Sequence, residues 1–434
     1  MTGSNRHRKA SALAAALATI LSGAAAAQVG FNFSPIEQVD PRVPLEIPRS
    51  ERFPPYDSYL QPVLFDQTPN SLEMVRFDVT QNPPVASPIQ IASGNSFALG
   101  SATEISDTVG FSFIDPLFDL RFGGCTAPCT STFNNLINAG TWIDSASSAS
   151  ANTRYVVALN NAMNHGIQPF RSTDNGGSWS PDGALFTPPV SGGVYDNFHG
   201  GKRISLLVDR TSTNPTTTRN CITYETLEVG GTTIQWFKCR DGQSDAFTVP
   251  FDTDVPNPSN QFDRFIETCC LPLPDGAGGF RTLCTYSHRQ TQRMRAVRIS
   301  QTGVVTGPVD LGDVPKGSNF YNPDLLPFRE QEREDFLALF PGGDLPPARF
   351  REWDPAAGLS GFSGPPLVSG PVRSDFIFRS SGPQRPEIWA MGGYFEDPRV
   401  EGTFGGLGLV IDATTIFFDG FETANVLRWS HHVP

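Results

Sequence analysis

Ser172-Thr173-Asp174-Asn175-Gly176-Gly177-Ser178-Trp179 constrains this chain more tightly than any other stretch of it. Asp174 can satisfy backbone amides of its own turn. Gly176 supplies a backbone conformation that a Cβ would penalise, and Trp179 offers a large apolar face for packing between sheets. Tyr155–Leu159 lies before the octapeptide and Ala184–Phe186 after it, so the eight residues read as a turn joining two outer strands of one sheet.

The octapeptide fits Ser-x-Asp-x-Gly-x-x-Trp at every defined position, and on it the chain resembles the sialidase-like and BNR-repeat β-propellers, whose Asp-box this is. The resemblance implies an all-β chain with a six-bladed propeller over residues 71–412. It also implies that Ser172, Asp174, Gly176 and Trp179 are structural and stand away from any catalytic mouth.

Composition agrees with short strands and tight loops: 41 glycines, 38 prolines and 33 phenylalanines. From residue 71 short strand-like runs recur without an amphipathic helix: Met74–Val79, Tyr155–Leu159, Arg203–Val208, Thr282–Tyr286, Met294–Ile299, Phe336–Phe340 and Ile388–Met391. A faint repeat shows through, with an aromatic residue and an Asp placed before a strand pair at Asp196, Asp263, Asp324 and Asp375. The steps of 67, 61 and 51 residues suit a four-stranded blade with loops. An array of β-sandwiches is the alternative architecture.

The ends bear on compartment. Arg6, Arg8 and Lys9 precede a small-residue apolar stretch and an Ala25-Ala26-Ala27 cleavage site, so residues 1–27 read as a signal peptide. The stretch is too dilute in strongly apolar residues for a membrane anchor. Residues 28–70 are a proline-rich extended lead-in that wraps the first blade or closes the ring. Residues 413–434 resemble a short Asp-Gly-Phe-Glu … Trp-Ser tail of secreted bacterial proteins, departing from it at Ala424 where glycine is usual. The expectation is an exported, soluble monomer.

Net charge is −12, and −15 once the cationic leader is removed. An acidic chain without basic clusters is unsuited to nucleic acid, whose binding depends on phosphate neutralisation. Seven cysteines in an exported chain point to disulfides. Cys125 and Cys129 close a small loop. Cys221 and Cys239 flank a hairpin in which a two-residue Gly230-Gly231 turn would set Cys221 against Arg240, so a bulge or longer loop must shift the register by one. Cys284 returns opposite Cys269 or Cys270, leaving one thiol over. Zinc is the rival reading, but no C-x-x-C pair exists.

For function, sialidase-like propellers place a carboxylate-clamping arginine triad, a tyrosine–glutamate nucleophile and an aspartate at one channel mouth. Only fragments of that set are recognisable. The nearest match to the family's first arginine motif is Pro41-Arg42-Val43-Pro44, Tyr394 is a candidate late tyrosine, and Tyr224 beside Glu225 points to the opposite strand face. The blade-entry residues Asp196, His199, Arg203, Asp263, Arg264, Asp324 and Arg385 are the candidate ligand-facing rim. Each has an ordinary counterpart role as a turn residue or surface ion pair. Asp252-Thr253-Asp254-Val255-Pro256-Asn257 could hold a structural calcium, although it lacks the glycine-turned spacing of a known calcium loop and an exposed acidic loop reads better; no other metal or cofactor is called for. A serine hydrolase lacks its Gly-x-Ser-x-Gly elbow. The reading is a non-catalytic binding module for carbohydrate or a cell-surface protein, with a diverged sialidase-like glycosidase as the alternative.

Overall fold

The computed structural model describes residues 37–40, 50–51, 59–65, 71–78, 85–94, 102–105, 108–126, 129–160, 166–186, 204–209, 212–227, 233–242, 244–253, 265–274, 280–288, 293–313, 324–327, 336–340, 349–354, 358–363, 374–376, 388–396 and 403–411. Regular structure there is all strand, and none of it is a helix long and apolar enough to cross a membrane.

In chain order the strands begin with β1 (Glu37–Asp40), β2 (Ser50–Glu51), β3 (Tyr59–Phe65), β4 (Ser71–Asp78) and β5 (Val85–Ser93). Next come β6 (Ala102–Ile105), β7 (Thr108–Ile114), β8 (Leu120–Thr126) and β9 (Thr132–Asn138). A third group is β10 (Trp142–Ala149), β11 (Arg154–Asn160), β12 (Ile167–Ser172) and β13 (Ser180–Pro181). A fourth is β14 (Ile204–Val208), β15 (Arg219–Leu227), β16 (Thr233–Asp241) and β17 (Ser244–Thr253). A fifth is β18 (Phe265–Pro274), β19 (Phe280–His288), β20 (Arg293–Ile299) and β21 (Val305–Asp313). The chain continues through β22 (Asp324–Pro327), β23 (Phe336–Phe340), β24 (Arg349–Asp354) and β25 (Gly358–Ser363). It finishes with β26 (Ser374–Phe376), β27 (Ile388–Glu396) and β28 (Thr403–Ile411).

These strands group into seven sheets. Four of them, β10–β13, β14–β17, β18–β21 and β22–β25, are four-stranded antiparallel meanders in sequence order. β3–β5 forms a three-stranded sheet, and β6–β9 gains β2 as a parallel fifth strand. The last sheet, β26–β27–β28, takes β1 as its outer strand through Glu37↔Leu409 and Gln38↔Gly408. The lead-in residues thus supply β1, β2 and β3 to three different sheets.

From β3–β5 to β18–β21 each sheet packs on its sequence neighbours, and the two-residue period of the strand decides how. In β11, Val156 and Ala158 join Phe122, Leu120 and Trp142 against the β6–β9 sheet. The alternate residues Tyr155, Val157 and Leu159 join Ile204, Leu206 and Tyr224 against the β14–β17 sheet. In β14, Leu206 and Val208 face backward while Leu207 faces forward with Phe237, Phe251 and Val297. Leu72 and Met74 of β4 meet Val109 and Phe111 of β7 in the same way. A strand buried on both faces reads as a continuous apolar run, which is why the runs lack clean alternation. Sheets stacked in sequence order, each sandwiched between the one before and the one after, make a β-propeller. Six blades were expected of it; seven open sheets are what the described strands form.

Three disulfides stitch the sheets: Cys125–Cys129, Cys221–Cys239 and Cys270–Cys284. Cys221 lies directly opposite Cys239, because β15 ends at Leu227 and β16 begins at Thr233, a longer connection than two residues. Of the adjacent pair, Cys270 is the bonded one, and Cys269 pairs in register with Thr285.

Candidate functional site

The meander fixes which residues share an end of the molecule. β10 and β14 are the first strands of successive sheets, and Asp144, third residue of β10, accepts the amide of Ile204, first residue of β14, at 3.0 Å on Oδ2. Its Oδ1 accepts Ser145 N at 2.8 Å. The buried carboxylate therefore locks two strand starts together. β14 in turn contacts β18, and β18 contacts β22, each the first strand of its sheet, so the starts of β10 and β14 mark one end of this stack. We term it the entry end.

Four of the candidate rim residues adjoin the start of a first strand in the sequence. Asp324 is the first residue of β22. Arg203 immediately precedes β14 and Asp263–Arg264 immediately precede β18, whereas Arg385 falls in the connection from β26 to β27, before a second strand and not a first one. Asp196, His199, Arg203, Asp263, Arg264 and Arg385 lie outside the described residues, as does Tyr394's side chain. Asp144 is the rim-end residue the sequence reading missed. It follows Trp142 and stands 52 residues before Asp196, so extending the aromatic–Asp repeat one step toward the N-terminus would have found it.

The octapeptide occupies the opposite end, at the turn from β12 to β13. Ser172 Oγ donates to Asp174 Oδ1 at 2.6 Å and accepts Gly176 N at 2.8 Å. Asp174 accepts Ser178 N at 2.8 Å and Ser178 Oγ at 2.6 Å. Those hydroxyls, Ser172 first and then Ser178, lower the Asp174 carboxyl to about 2. Gly176 has φ +96°, and a Cβ there would sit 2.8 Å from the Phe122 ring. The Trp179 ring packs 5.0 Å from Phe122 of the preceding sheet. Asp174 and the Ser178 amide it serves are exposed, whereas the buried amide, Gly176, is served by Ser172.

A second polar cluster lies near the entry end between the β14–β17 and β18–β21 sheets. Asp252 Oδ2 accepts Tyr286 Oη and Arg295 Nη1, each at 2.7 Å, and Oδ1 accepts Thr253 N at 2.8 Å. Both oxygens of the first residue of the candidate calcium run are thus engaged within the protein, while Asp254–Asn257 lie outside the described residues. Burial, then Asp252, pushes the Tyr286 phenol far above its usual range. Burial likewise raises Tyr224 to about 12. Both phenols stay neutral near pH 7 and are enclosed, so neither is a ready nucleophile. Among the described residues, no group of three His, Cys, Asp or Glu could hold a metal ion.

A third cluster joins the β10–β13 and β14–β17 sheets. Asp182 is buried, with Arg171 Nε 3.6 Å away and Arg240 Nη1 at 4.0 Å. Burial raises its carboxyl, against the lowering pull of Arg240 and then Arg171. Lys238 rests 5.0 Å over the Phe186 ring and bonds Asp245 at 2.8 Å. These contacts close the inter-sheet cleft rather than open a ligand cavity.

No family model and no curated protein matches the chain. Among solved structures, it is similar to an ulvan lyase of a new polysaccharide lyase family, with TM-score 0.51 and 10% identity over 85% of this chain and 96% of that one. It is also similar to the β-propeller domain of the trilobed protease from Pyrococcus furiosus, with TM-score 0.42, 8% identity, and coverage of 81% and 96%. The fucose-specific lectin from Aleuria aurantia gives TM-score 0.43, 13% identity, and coverage of 70% and 92%.

Proposed function

We propose that this protein is an exported β-propeller that binds acidic glycans at its entry end. The reading takes each of the seven sheets as a blade and the octapeptide 172–179 as an Asp-box of the sialidase-like/BNR type. Residues 1–27 act as its signal peptide. The observation that carries it is the Asp144–Ile204 link, which pins successive first strands start to start. By chain order, that arrangement gathers Arg203, Asp263, Arg264 and Asp324 around one end. Guanidinium groups so gathered pair with carboxylate or sulfate through charge-assisted, planar hydrogen bonds. The ulvan lyase, whose fold this chain shares, acts on a polysaccharide, which makes that class a natural first set of ligands.

Binding without turnover is the favoured form, since the enclosed, neutral tyrosines leave the described residues without a sialidase-type nucleophile. Mature protein applied to an array of neutral, sialylated, uronate and sulfated glycans should retain acidic members selectively. Release of sugar from any retained glycan would replace the module reading with a glycosidase or lyase. Retention of none would leave a protein-binding scaffold as the better account.

A further inference from the structure

We propose that Cys269, Cys270 and Cys284 form a disulfide-exchange switch whose moving part is a β-bulge. The proposal rests on the register of β18 against β19. Phe265 pairs with His288 and Ile266 with Ser287; then Cys269 pairs with Thr285 and Cys270 with Cys284. Between these two segments Glu267 and Thr268 together oppose the single residue Tyr286, so one strand carries one extra residue. Continuing the first segment's register by three residues would set Cys269, not Cys270, against Cys284. The bulge is what selects the bonded cysteine.

Moving the bulge two residues along β18 pairs Glu267 with Tyr286 and Thr268 with Thr285. Cys269 and Cys270 are then the two residues opposing Cys284, which brings three cysteines to one rung. Leu271 still pairs with Leu283, and Ile266 still pairs with Ser287, so nothing outside 267–270 changes partner. Such a confined slip does not turn the whole strand over, unlike a global register shift.

At that rung the chemistry is balanced within the chain. The Cys269 thiol loses its proton, and its sulfur attacks Cys284 Sγ. The Cys270–Cys284 bond breaks, Cys270 leaves as a thiolate, and it takes up a proton. A Cys269–Cys284 bond replaces the first, with no net oxidation. Cys284 is fully buried among Phe237, Phe251 and Val297, which shields it from external thiols and favours an attacker already in the same strand pair. β18 is the first strand of its sheet and follows directly on Asp263 and Arg264, so the two isomers differ in the strand that leads away from the entry end.

The test follows the free thiol. Mature protein is held at about pH 8, where an ordinary thiol is partly ionised, then acid-quenched, denatured and alkylated. Tandem mass spectrometry locates the alkyl group. Both Cys269 and Cys270 should carry label in separate populations, and alkylating the native protein beforehand should freeze whichever isomer is present. Cys270→Ser should fold with Cys269 bonded to Cys284, and Cys269→Ser with Cys270 bonded to Cys284. Label on Cys269 alone at every incubation time would overturn the switch. So would a folded Cys270→Ser protein with Cys269 and Cys284 both free. If Cys270→Ser fails to fold, the wild-type labelling decides.

Discussion

Arg154 Nε donates to Asn175 Oδ1 at 2.8 Å, tying the first residue of β11 to the apex of the β12–β13 turn. The same guanidinium donates through Nη1 to Thr103 O at 3.0 Å and Thr103 Oγ1 at 2.7 Å, and through Nη2 to Thr108 O. It also lies 5.2 Å over the Phe122 ring. One fully buried side chain thus holds the octapeptide turn to the neighbouring sheet. Asn175 itself takes φ +62°, a conformation asparagine tolerates better than most side chains.

Replacing Arg154 by Met should cost about 3 kcal/mol or more, because the Thr103 and Thr108 carbonyls lose a charged donor in a buried place. Lys should recover little, since an ammonium cannot span three separated acceptors. Denaturant unfolding measures both. A midpoint within error of wild type for the Met variant would contradict the staple.

Asp174→Ala should cost less, about 1 kcal/mol, since the amide it abandons is exposed to water. Its pH dependence is diagnostic. The folded carboxyl sits at about 2, below its ordinary 3.8. The stability from its ionised form is therefore complete above about pH 4–5 and is lost as pH falls through about 2. The melting-temperature gap between wild type and variant should be constant at neutral pH and close on acidification. A gap that widens toward low pH would reverse the assignment.

Removing the Cys221–Cys239 bridge by a double substitution to Ala should lower stability by about 3 kcal/mol, from the loop entropy returned to the unfolded chain. Urea titration of the two proteins gives the difference. Non-reducing peptide mapping should find Cys221 joined to Cys239 in the parent.

Arg203→Ala and Arg264→Ala should each weaken binding of an acidic glycan by roughly tenfold or more, with Lys restoring only part of it. Melting temperature should scarcely move. Titration calorimetry with the tightest array ligand reads the first, and a thermal scan the second. Unchanged affinity in both variants would remove these arginines from the site.

The seven strand-like runs in the sequence fall on strands, and the clearest of them, Tyr155–Leu159, does so because residues buried between two sheets must be apolar on both faces, so the run itself is visible. The octapeptide turn was legible because its chemistry is local, and the Cys221–Cys239 pairing because both cysteines flank one hairpin, while the connection length that sets their register was not. Arg154 was not. A lone arginine ahead of an apolar run looks like a solvated strand end, and its partners Thr103 and Thr108 lie some fifty residues away. Asp144 escaped likewise, since its partner amide at Ile204 is supplied by another sheet. The sheet count was also beyond local pattern, because β1, β2 and β3 come from a proline-rich stretch without clear periodicity.

The pairing of β1 with β28 has a kinetic consequence. These strands are the most widely separated in sequence of the described pairs, so a ribosome makes the first of them long before its partner exists. Until β28 arrives, the last sheet has an unprotected edge and β1 has nothing to bind, which leaves both open to pairing with other chains. Long-range closure of this kind is slow to form. A chain of this design cannot clasp its last sheet until nearly all of it has been made.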